Sequence, residues 1–528
     1  MQKIFSKLFT AEWRLQTRAL PANVSVLLIP LLLLAGSLFV IRAASRLDHP
    51  IDDAYITMTY ARSVAEGRGF TFAVSAQPTL GTTTPLNTLL LAALFRLFPS
   101  ADPASLAVTL SVCFWLATAW LWALRGHTLG LTRLESLAVA ILLFLETTLW
   151  VSYLGMEARL LTFLLTVCVF LYVEGRFFWT GVALGLLFLT RGDGILMAGV
   201  FGLHQLFTLR KGAPFAHVMR RSLLLIGGFA LSALPWILYA YFTFGSPLPT
   251  TLAAKAVQTR QGFTQPFIVY LGYLFVGDWS SLGFIGGGVS PWALMLLAGV
   301  GYAWYARRQP LLLLAWCIAY IVGYALLHIP TYKWYALPAM YVTVIFAALA
   351  LASPATLLPR YLSALDARRL GTLAACGCLA WVCLTILPQT LSEQPVRDER
   401  HAVYQNLSAW LDDHTPAGSR IAYVEVGVLA WYGQREIVDL MGLTNPELLP
   451  DLQQGGVQAA FWRANPNYLI CSSRFPWACE DLIASERFTR RYAPVVTLTG
   501  RQLGATEFPE ATYVVYRRQP AHLTKFAA

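Results

Sequence analysis

Two adjacent carboxylates, Asp52 and Asp53, open the stretch IDDAYITMTYARSVAEGRGFTF, directly after an apolar segment that ends near Ile41. Two neighbouring acids do not ionise independently, so the pKa of one is expected to rise toward a value suited to proton abstraction. The pair therefore predicts a general base that acts on a hydroxyl, with Asp52 slightly favoured. The alternative is helix capping, because acids offset the dipole at a helix start and residues 52–66 have that pattern.

A second set of residues, in motifs between the apolar runs, carries side chains that bind substrates. Arg and Lys pair with phosphate groups, acids accept hydrogen bonds from hydroxyls, and aromatic rings can stack on sugars. The candidate substrate-binding residues are Glu146, Glu157, Arg191, Asp193, Lys255, Arg260, His328, Lys333, Trp334 and Tyr335.

Each of these candidates has a structural alternative. The cations can be anchors whose heads reach the membrane surface, and the aromatic residues can belong to an interfacial belt. Glu157 can offset a helix dipole, and Arg191 can pair with Asp193. Glu146 is more unusual because it lies inside an apolar run, where an acid is by default functional or hydrogen-bonded between helices.

A metal site is left open by the sequence. Asp52, Asp53, Glu157 and His328 could supply ligands to a divalent cation, but no local spacing demands one. The cysteines show no metal-type spacing either. The prediction is therefore no certain cofactor, with a divalent cation as an option and the metal site unknown.

The composition shows which kind of chain holds these residues. Of the 528 residues, 57% are hydrophobic and 13% are charged, against a usual charged fraction of about 25%. This excludes an ordinary soluble globule. The net charge of +11 does not indicate nucleic acid, because the basic residues are scattered between apolar runs, as charges that orient a membrane protein are.

Eleven apolar segments are predicted to span the membrane, some of them marginally, since a bilayer core needs about 20 residues of helix. They centre on residues 23–41, 104–124, 134–152, 157–174, 177–190, 194–209, 222–244, 292–306, 311–328, 335–353 and 370–388. The short run 85–98 carries Arg96 and predicts an interfacial helix. The excess of Lys and Arg in alternate loops predicts a plasma-membrane protein with a cytoplasmic N-terminus and an extracytoplasmic C-terminal tail.

The tail, residues 389–528, is more polar and predicts a small α/β domain. VYQNLSAWLDDHTP has helical spacing, and RIAYVEV, REIVDL, NYLICS and TYVVYRR have the pattern of strands. Cys471 and Cys479 lie in this tail. They can form a disulfide in an oxidising compartment or remain two free thiols, and the sequence favours neither.

Five motifs in order carry a resemblance to a known family. The opening stretch with the following GTTTPLNTLLLAALFRLF resembles the first outer loop of membrane-embedded GT-C glycosyltransferases. It most resembles the arabinofuranosyltransferase-like branch of actinobacterial cell-wall synthesis. GMEARLL, LFLTRGDGIL, FGSPLPTTLAAK and the tail segment RIAYVEVGVLAWYGQREIVDLMGLTNP are similar to further motifs of that branch, over about residues 50–450. Departures at Ala158, Gly192 and Ser246 leave the substrate open.

The resemblance implies a GT-C-type catalytic domain over residues 1–388, with its first extracytoplasmic loop at 42–103, followed by the extracytoplasmic domain 389–528. It implies a polyprenyl-phosphate sugar donor, for which the branch suggests a pentofuranose. The acceptor would be a hydroxyl of a cell-envelope glycan, lipid or protein on the outer face. The family's base maps onto Asp52 or Asp53. Membrane lipid is the other expected partner, and no nucleic acid is expected to bind.

Two other classes of function remain open. A transporter or flippase of lipid-linked sugars would also have many spans, but the segments show no inverted repeat and the acids lie in a loop rather than at the membrane midplane. An envelope scaffold whose tail binds glycan is the third class. Only an enzyme would make product without a second compartment.

Overall fold

The computed structural model describes residues 22–72, 78–145, 151–247, 249, 251–260, 291–327, 332–361, 367–391 and 394–520. Within these residues a long helical part is followed by a smaller unit that contains one sheet. The helices of the first part are α1 (Ala22–Ala44), α2 (Asp52–Ala65), α3 (Pro85–Leu97), α4 (Pro103–Arg125), α5 (Arg133–Leu145), α6 (Ala158–Val173), α7 (Phe177–Thr190), α8 (Leu196–Arg210), α9 (Phe215–Phe244), α10 (Thr251–Arg260), α11 (Pro291–Ala306), α12 (Leu311–Leu326), α13 (Leu337–Ala352), α14 (Pro354–Tyr361) and α15 (Ala367–Leu391).

Local sequence explains where the apolar helices begin and end, as α4 shows. Asp102 precedes α4, and its carboxylate accepts a hydrogen bond from the Ser105 amide at 2.8 Å. This satisfies one of the amides that a helix start leaves without a partner. Pro103 opens the helix with a suitable fixed φ. Arg125 lies in the last turn, where a cation offsets the negative end of the helix dipole.

Each of the eleven predicted spans overlaps one of these helices. By length and composition, however, only three helical stretches of the described chain are long and apolar enough to cross a membrane: Pro103–Leu129, Phe215–Phe244 and Lys333–Arg360. Several of the other segments form shorter apolar helices of 10 to 17 residues. The predicted count of eleven is therefore not confirmed.

The helical part has a buried centre and an exposed apolar face. α13 is buried throughout from Leu337 to Leu349, and the Trp122 indole of α4 donates a hydrogen bond to the Tyr341 hydroxyl at 3.0 Å. By contrast, α9 exposes large apolar side chains such as Ile226 and Phe242. Exposed apolar surface of this kind is typical of a helix that contacts lipid.

The tail forms a five-stranded mixed sheet in the order β2-β1-β3-β5-β4. β1 pairs in parallel with β2 and β3, and β5 pairs in antiparallel with β3 and β4. The strands are β1 (Arg420–Tyr423), β2 (Glu436–Asp439), β3 (Tyr468–Ser472), β4 (Tyr492–Thr499) and β5 (Thr512–Arg518). The helices are α16 (Glu399–His414), α17 (Gly427–Tyr432), α18 (Leu449–Ala464), α19 (Glu480–Ile483) and α20 (Glu486–Thr489).

The predicted α/β class of the tail agrees with this sheet, and one strand was missed. β4 carries Pro494, which cannot donate to a strand ladder and argues against a central strand. The structure places β4 at the edge, with a register shift between Pro494 and Val496. Cys471 and Cys479 form a disulfide, so the paired alternative is confirmed.

The tail packs directly on the segment that follows α1, residues 45–102. Residues of α2 such as Tyr55 and Met58 share one buried apolar cluster with Tyr404 of α16 and Val428 of α17. A short backbone bridge between Leu47 and Val396 joins the same two regions. The tail is therefore held by burial as well as by hydrogen bonds, next to the acids that open α2.

The orientation of the chain stays a prediction with a simple test. A reporter that is active only outside the cytoplasm, fused to the C-terminus of the full chain, should be active, because the loop charges place the tail outside. The same reporter fused after residue 211, in a loop predicted to be cytoplasmic, is the control and should be silent. Activity with the reverse pattern would contradict both the topology and the extracytoplasmic site.

Candidate active site

The two acids of the opening pair face different surroundings. Asp52 is the first residue of α2 and is 3% exposed. Its carboxylate accepts hydrogen bonds from the amides of Gly427 at 3.0 Å and Val428 at 2.7 Å, at the start of α17. Asp52 thus caps a helix of the tail rather than its own helix. A Cβ at position 427 would lie 1.9 Å from the Asp52 carbonyl oxygen, so this contact requires glycine.

Asp53 lines an open cleft between the helical part, the segment that follows α1 and the tail. The empty space in this cleft, counted to its mouth and including open solvent, is about 470 Å³. The lining residues are Asp53, Ile56, Thr57, Gly81, Thr82, Thr83, Thr84, Met156, Glu157, Thr251, Lys255, Trp334, Tyr335 and Leu443. Asp52, which the sequence slightly favoured as the base, is not among them.

Burial raises the pKa of both acids. For Asp53 burial is the largest cause, opposed by the charges of Lys255 and Arg400 and reinforced by Glu157. Burial raises the pKa of Asp52 to about 6, against the lowering effect of Arg400. The charge of Asp53 also raises the pKa of Asp52. A carboxylate with a raised pKa is a better proton acceptor than an ordinary aspartate.

Lys255 supplies the cation that lines the cleft. It lies on α10, and its ammonium group donates a hydrogen bond to the Tyr335 hydroxyl. The ammonium nitrogen is 4.7 Å from the centroid of the Tyr335 ring and 5.5 Å from that of Tyr332. Its charge lowers the pKa of Asp53, so the two groups interact across the cleft. The site therefore combines a carboxylate of raised pKa with a cation that can contact an anionic group.

Arg191 and Asp193 form the ion pair that the sequence allowed as their structural alternative. The Arg191 guanidinium contacts the Asp193 carboxylate at 2.7 Å, and the Tyr324 hydroxyl donates to that carboxylate at 2.6 Å. Arg191 is 4% exposed and does not line the cleft. It lies 3.8 Å from the Glu157 carboxylate, which does line the cleft. Arg191 therefore supports the cleft wall from behind.

The remaining predicted residues divide into three groups. Trp334 and Tyr335 line the cleft, and Lys333 is exposed outside its lining. Arg260 ends α10, but its side chain is outside the described part of the chain. Glu146 and His328 also lie outside the described residues. The described residues contain no group of three His, Cys, Asp or Glu that could hold a metal ion.

Sequence reasoning missed three contributors to the site. The threonines Thr82–Thr84 line the cleft, and Leu443 of the tail belongs to the same lining. Both belong to motifs that carried the family resemblance, GTTTP and DLMGLTNP, but neither was assigned a role. Arg400 of the tail, which pairs with Asp398 at 2.7 Å and Glu425 at 3.0 Å, had no sequence signal of its own.

Among known protein families, a match is found for the tail. A family model described as "Domain of unknown function (DUF8728)" matches residues 391–517, which is most of the tail. No curated protein matches the sequence.

Solved structures match the whole chain in fold. ArnT from Cupriavidus metallidurans in the apo state has a TM-score of 0.56 at 14% identity, over 94% of this chain and 98% of ArnT. ArnT bound to undecaprenyl phosphate has a TM-score of 0.52 at 13% identity, with the same coverages. The archaeal oligosaccharyltransferase AglB from Archaeoglobus fulgidus, in complex with an inhibitory peptide and a dolichol-phosphate, has a TM-score of 0.54 at 12% identity, over 95% of this chain and 77% of AglB.

Identity this low establishes the fold alone. The chain therefore shares its overall fold with ArnT and AglB. The arabinofuranosyltransferase-like branch is not confirmed.

Proposed function

We propose that this protein is an integral-membrane glycosyltransferase of the plasma membrane. It transfers a sugar from a polyprenyl-phosphate donor to a hydroxyl of a cell-envelope glycan, lipid or protein on the extracytoplasmic face. The observation that carries the proposal is the cleft that holds Asp53 and Lys255 together. The fold adds support, since similar folds were solved with undecaprenyl phosphate and with a dolichol-phosphate.

In the proposed reaction Asp53 is the base. Its ionised carboxylate takes the proton of the acceptor hydroxyl while that oxygen bonds to the anomeric carbon of the donor sugar. The bond between the anomeric carbon and the phosphate oxygen breaks, and its electron pair leaves with the polyprenyl phosphate. The charge on that phosphate grows as it departs, so a cation placed at the phosphate stabilises the transition state more than the bound donor.

Lys255 is the described cation in the position for this role. Its ammonium group lines the cleft and interacts with Asp53 across it. Arg191 is excluded from direct phosphate contact by its burial and its pair with Asp193, although the sequence included it among the candidates. Arg260 and His328 stay predictions, since neither side chain is described.

The described lining of the cleft contains two acids that could bind a divalent cation. Asp53 and Glu157 line the cleft with the ammonium group of Lys255. Mg²⁺ and Ca²⁺ take six or more oxygen ligands, and Mg²⁺ usually keeps several waters. Within the described lining, two carboxylates beside a cation supply few of the ligands that these ions take, and His328 lies outside the described residues. A divalent cation therefore stays a prediction, and no step is derived through a metal.

A reconstituted assay tests the proposal. The purified full-length protein in detergent is given a polyprenyl-phosphate pentose, the first sugar suggested by the motifs, and an alkyl glycoside as acceptor. Formation of the elongated glycoside together with free polyprenyl phosphate is expected. A transporter or a scaffold would release neither product in detergent, where no second compartment exists. Absence of both products with pentose, hexose and amino-sugar donors would overturn the proposal.

A further inference from the structure

The tail contributes to the wall of the cleft through a short loop over residues 439–444, which contacts the segment that carries the threonines. Leu443 of this loop lines the cleft together with Asp53 and Gly81. The loop belongs to the segment that matches a domain of unknown function. Its contacts point to a role for that domain within the active site.

The loop is held rigidly by one buried carboxylate. Asp439 ends β2 and is 0% exposed. Its carboxylate accepts hydrogen bonds from the amides of Met441 at 2.8 Å, Leu443 at 2.7 Å and Thr444 at 2.9 Å. Three amides on one carboxylate fix the course of the loop and therefore the position of the Leu443 side chain.

The same loop touches both neighbouring walls of the cleft. On one side, a Cβ at Gly81 would lie 2.8 Å from the Leu443 carbonyl oxygen and 3.1 Å from the Thr444 Cα, so the two backbones approach closely and glycine is needed. On the other side, the Gln258 amide of α10 donates to the Met441 carbonyl at 3.5 Å. α10 also carries Lys255.

We propose that Leu443 is a specificity-determining residue that limits the size of the acceptor, and that Asp439 positions it. This inference rests on the proposed function. The donor's lipid tail must lie in the membrane, whereas the acceptor arrives from the aqueous side, where the tail domain lies in the predicted topology. The wall supplied by the tail therefore faces the acceptor.

The apolar side chain of Leu443 favours selection of the acceptor by its size. Leu443 offers an apolar surface and no hydrogen-bond donor, so it discriminates by volume. In an apolar pocket, one extra or missing methylene group on the substrate changes kcat/KM by about 10- to 200-fold. Asp439 acts only through the loop, since its three amide contacts are all within residues 441–444.

The test compares acceptors of two sizes, an octyl monosaccharide and an octyl disaccharide, with one polyprenyl-phosphate sugar. The ratio of kcat/KM for the disaccharide over that for the monosaccharide should rise about 10-fold or more in Leu443→Ala and fall in Leu443→Phe. Asp439→Asn should move the ratio in the same direction as Leu443→Ala. The Asn side chain has one acceptor oxygen instead of two, so it cannot hold all three amides of the loop, and the position of Leu443 is less fixed. Leu498→Ala, a half-buried leucine of β4 outside the cleft lining, is the matched control and should keep the wild-type ratio.

Each outcome decides a separate point. A wild-type ratio in both Leu443→Ala and Leu443→Phe, with cooperative thermal unfolding retained, overturns the inference and leaves the proposed function intact. A shifted ratio in Leu498→Ala as large as that in Leu443→Ala would also overturn it, because the effect would then be general to the tail. Wild-type protein that makes no product from any donor overturns the proposed function and this inference together.

Discussion

Replacement of Asp53 by Asn is expected to slow turnover at least about 10²-fold while the protein folds and still binds its donor. Asn keeps the shape of the side chain and removes its basicity. Asp53 lines the cleft, and burial raises its pKa, as a base near neutral pH requires. The measurement is kcat and kcat/KM for sugar transfer, with donor affinity determined separately on the same variant.

Asp52→Asn is the matched control, since it makes the same change one residue away. Its side chain accepts hydrogen bonds from two amides of the tail, and Asn retains one acceptor oxygen for them. A smaller loss of turnover is therefore expected, together with a lower thermal stability of the docked tail. A larger loss in Asp52→Asn than in Asp53→Asn would identify Asp52 as the base. Near-wild-type turnover in both variants and in the double variant would remove the catalytic role of the pair.

The pH profile of the wild-type enzyme provides a second control on Asp53. The base must be ionised, so kcat/KM falls as pH drops through its pKa. Because burial raises the pKa of Asp53, this fall should begin above the ordinary aspartate pKa of about 3.9. In Asp53→Asn the remaining activity should lose this acid limb.

Lys255→Met is expected to weaken donor binding about 10- to 100-fold, because a hydrogen bond to a charged group contributes about 1.5–3 kcal/mol. Met fills a similar volume and removes the charge next to Asp53. Since Lys255 lowers the pKa of Asp53, its loss should also move the acid limb of kcat/KM to higher pH. Donor affinity is measured with polyprenyl phosphate as the probe, and the pH profile with the full reaction.

Lys333→Met is the control for this prediction. Lys333 is exposed and does not line the cleft, although the sequence placed it among the candidate phosphate contacts. Its replacement should leave polyprenyl-phosphate affinity within about fivefold, as expected for a surface charge whose interactions contribute up to about 1 kcal/mol. Equal losses in both variants would indicate a diffuse electrostatic effect, and an unchanged affinity in Lys255→Met would contradict a phosphate contact by Lys255.

Prediction from sequence was most accurate where the signal is local. The runs of apolar residues predicted helices because hydropathy and helical periodicity are properties of neighbouring positions, and each predicted span overlaps a helix. Four of the tail strands were predicted in the same way. The edge strand with Pro494 was missed, since whether a proline is tolerated depends on which side of a strand has a partner.

The sequence by itself determined that an acid pair follows an apolar helical run and that a more polar α/β tail follows the apolar part of the chain. Only the tertiary structure decided which acid lines the cleft. Asp52 meets the amides of residues 427 and 428, which are 375 and 376 positions further along the chain, and no local pattern predicts that contact. Arg191 likewise turned from a phosphate candidate into the partner of Asp193, and Leu443 entered the cleft through the docking of the tail. Hydropathy and periodicity act between neighbours, whereas the surroundings of a side chain, and hence its pKa and its access to substrate, depend on which distant segments pack around it.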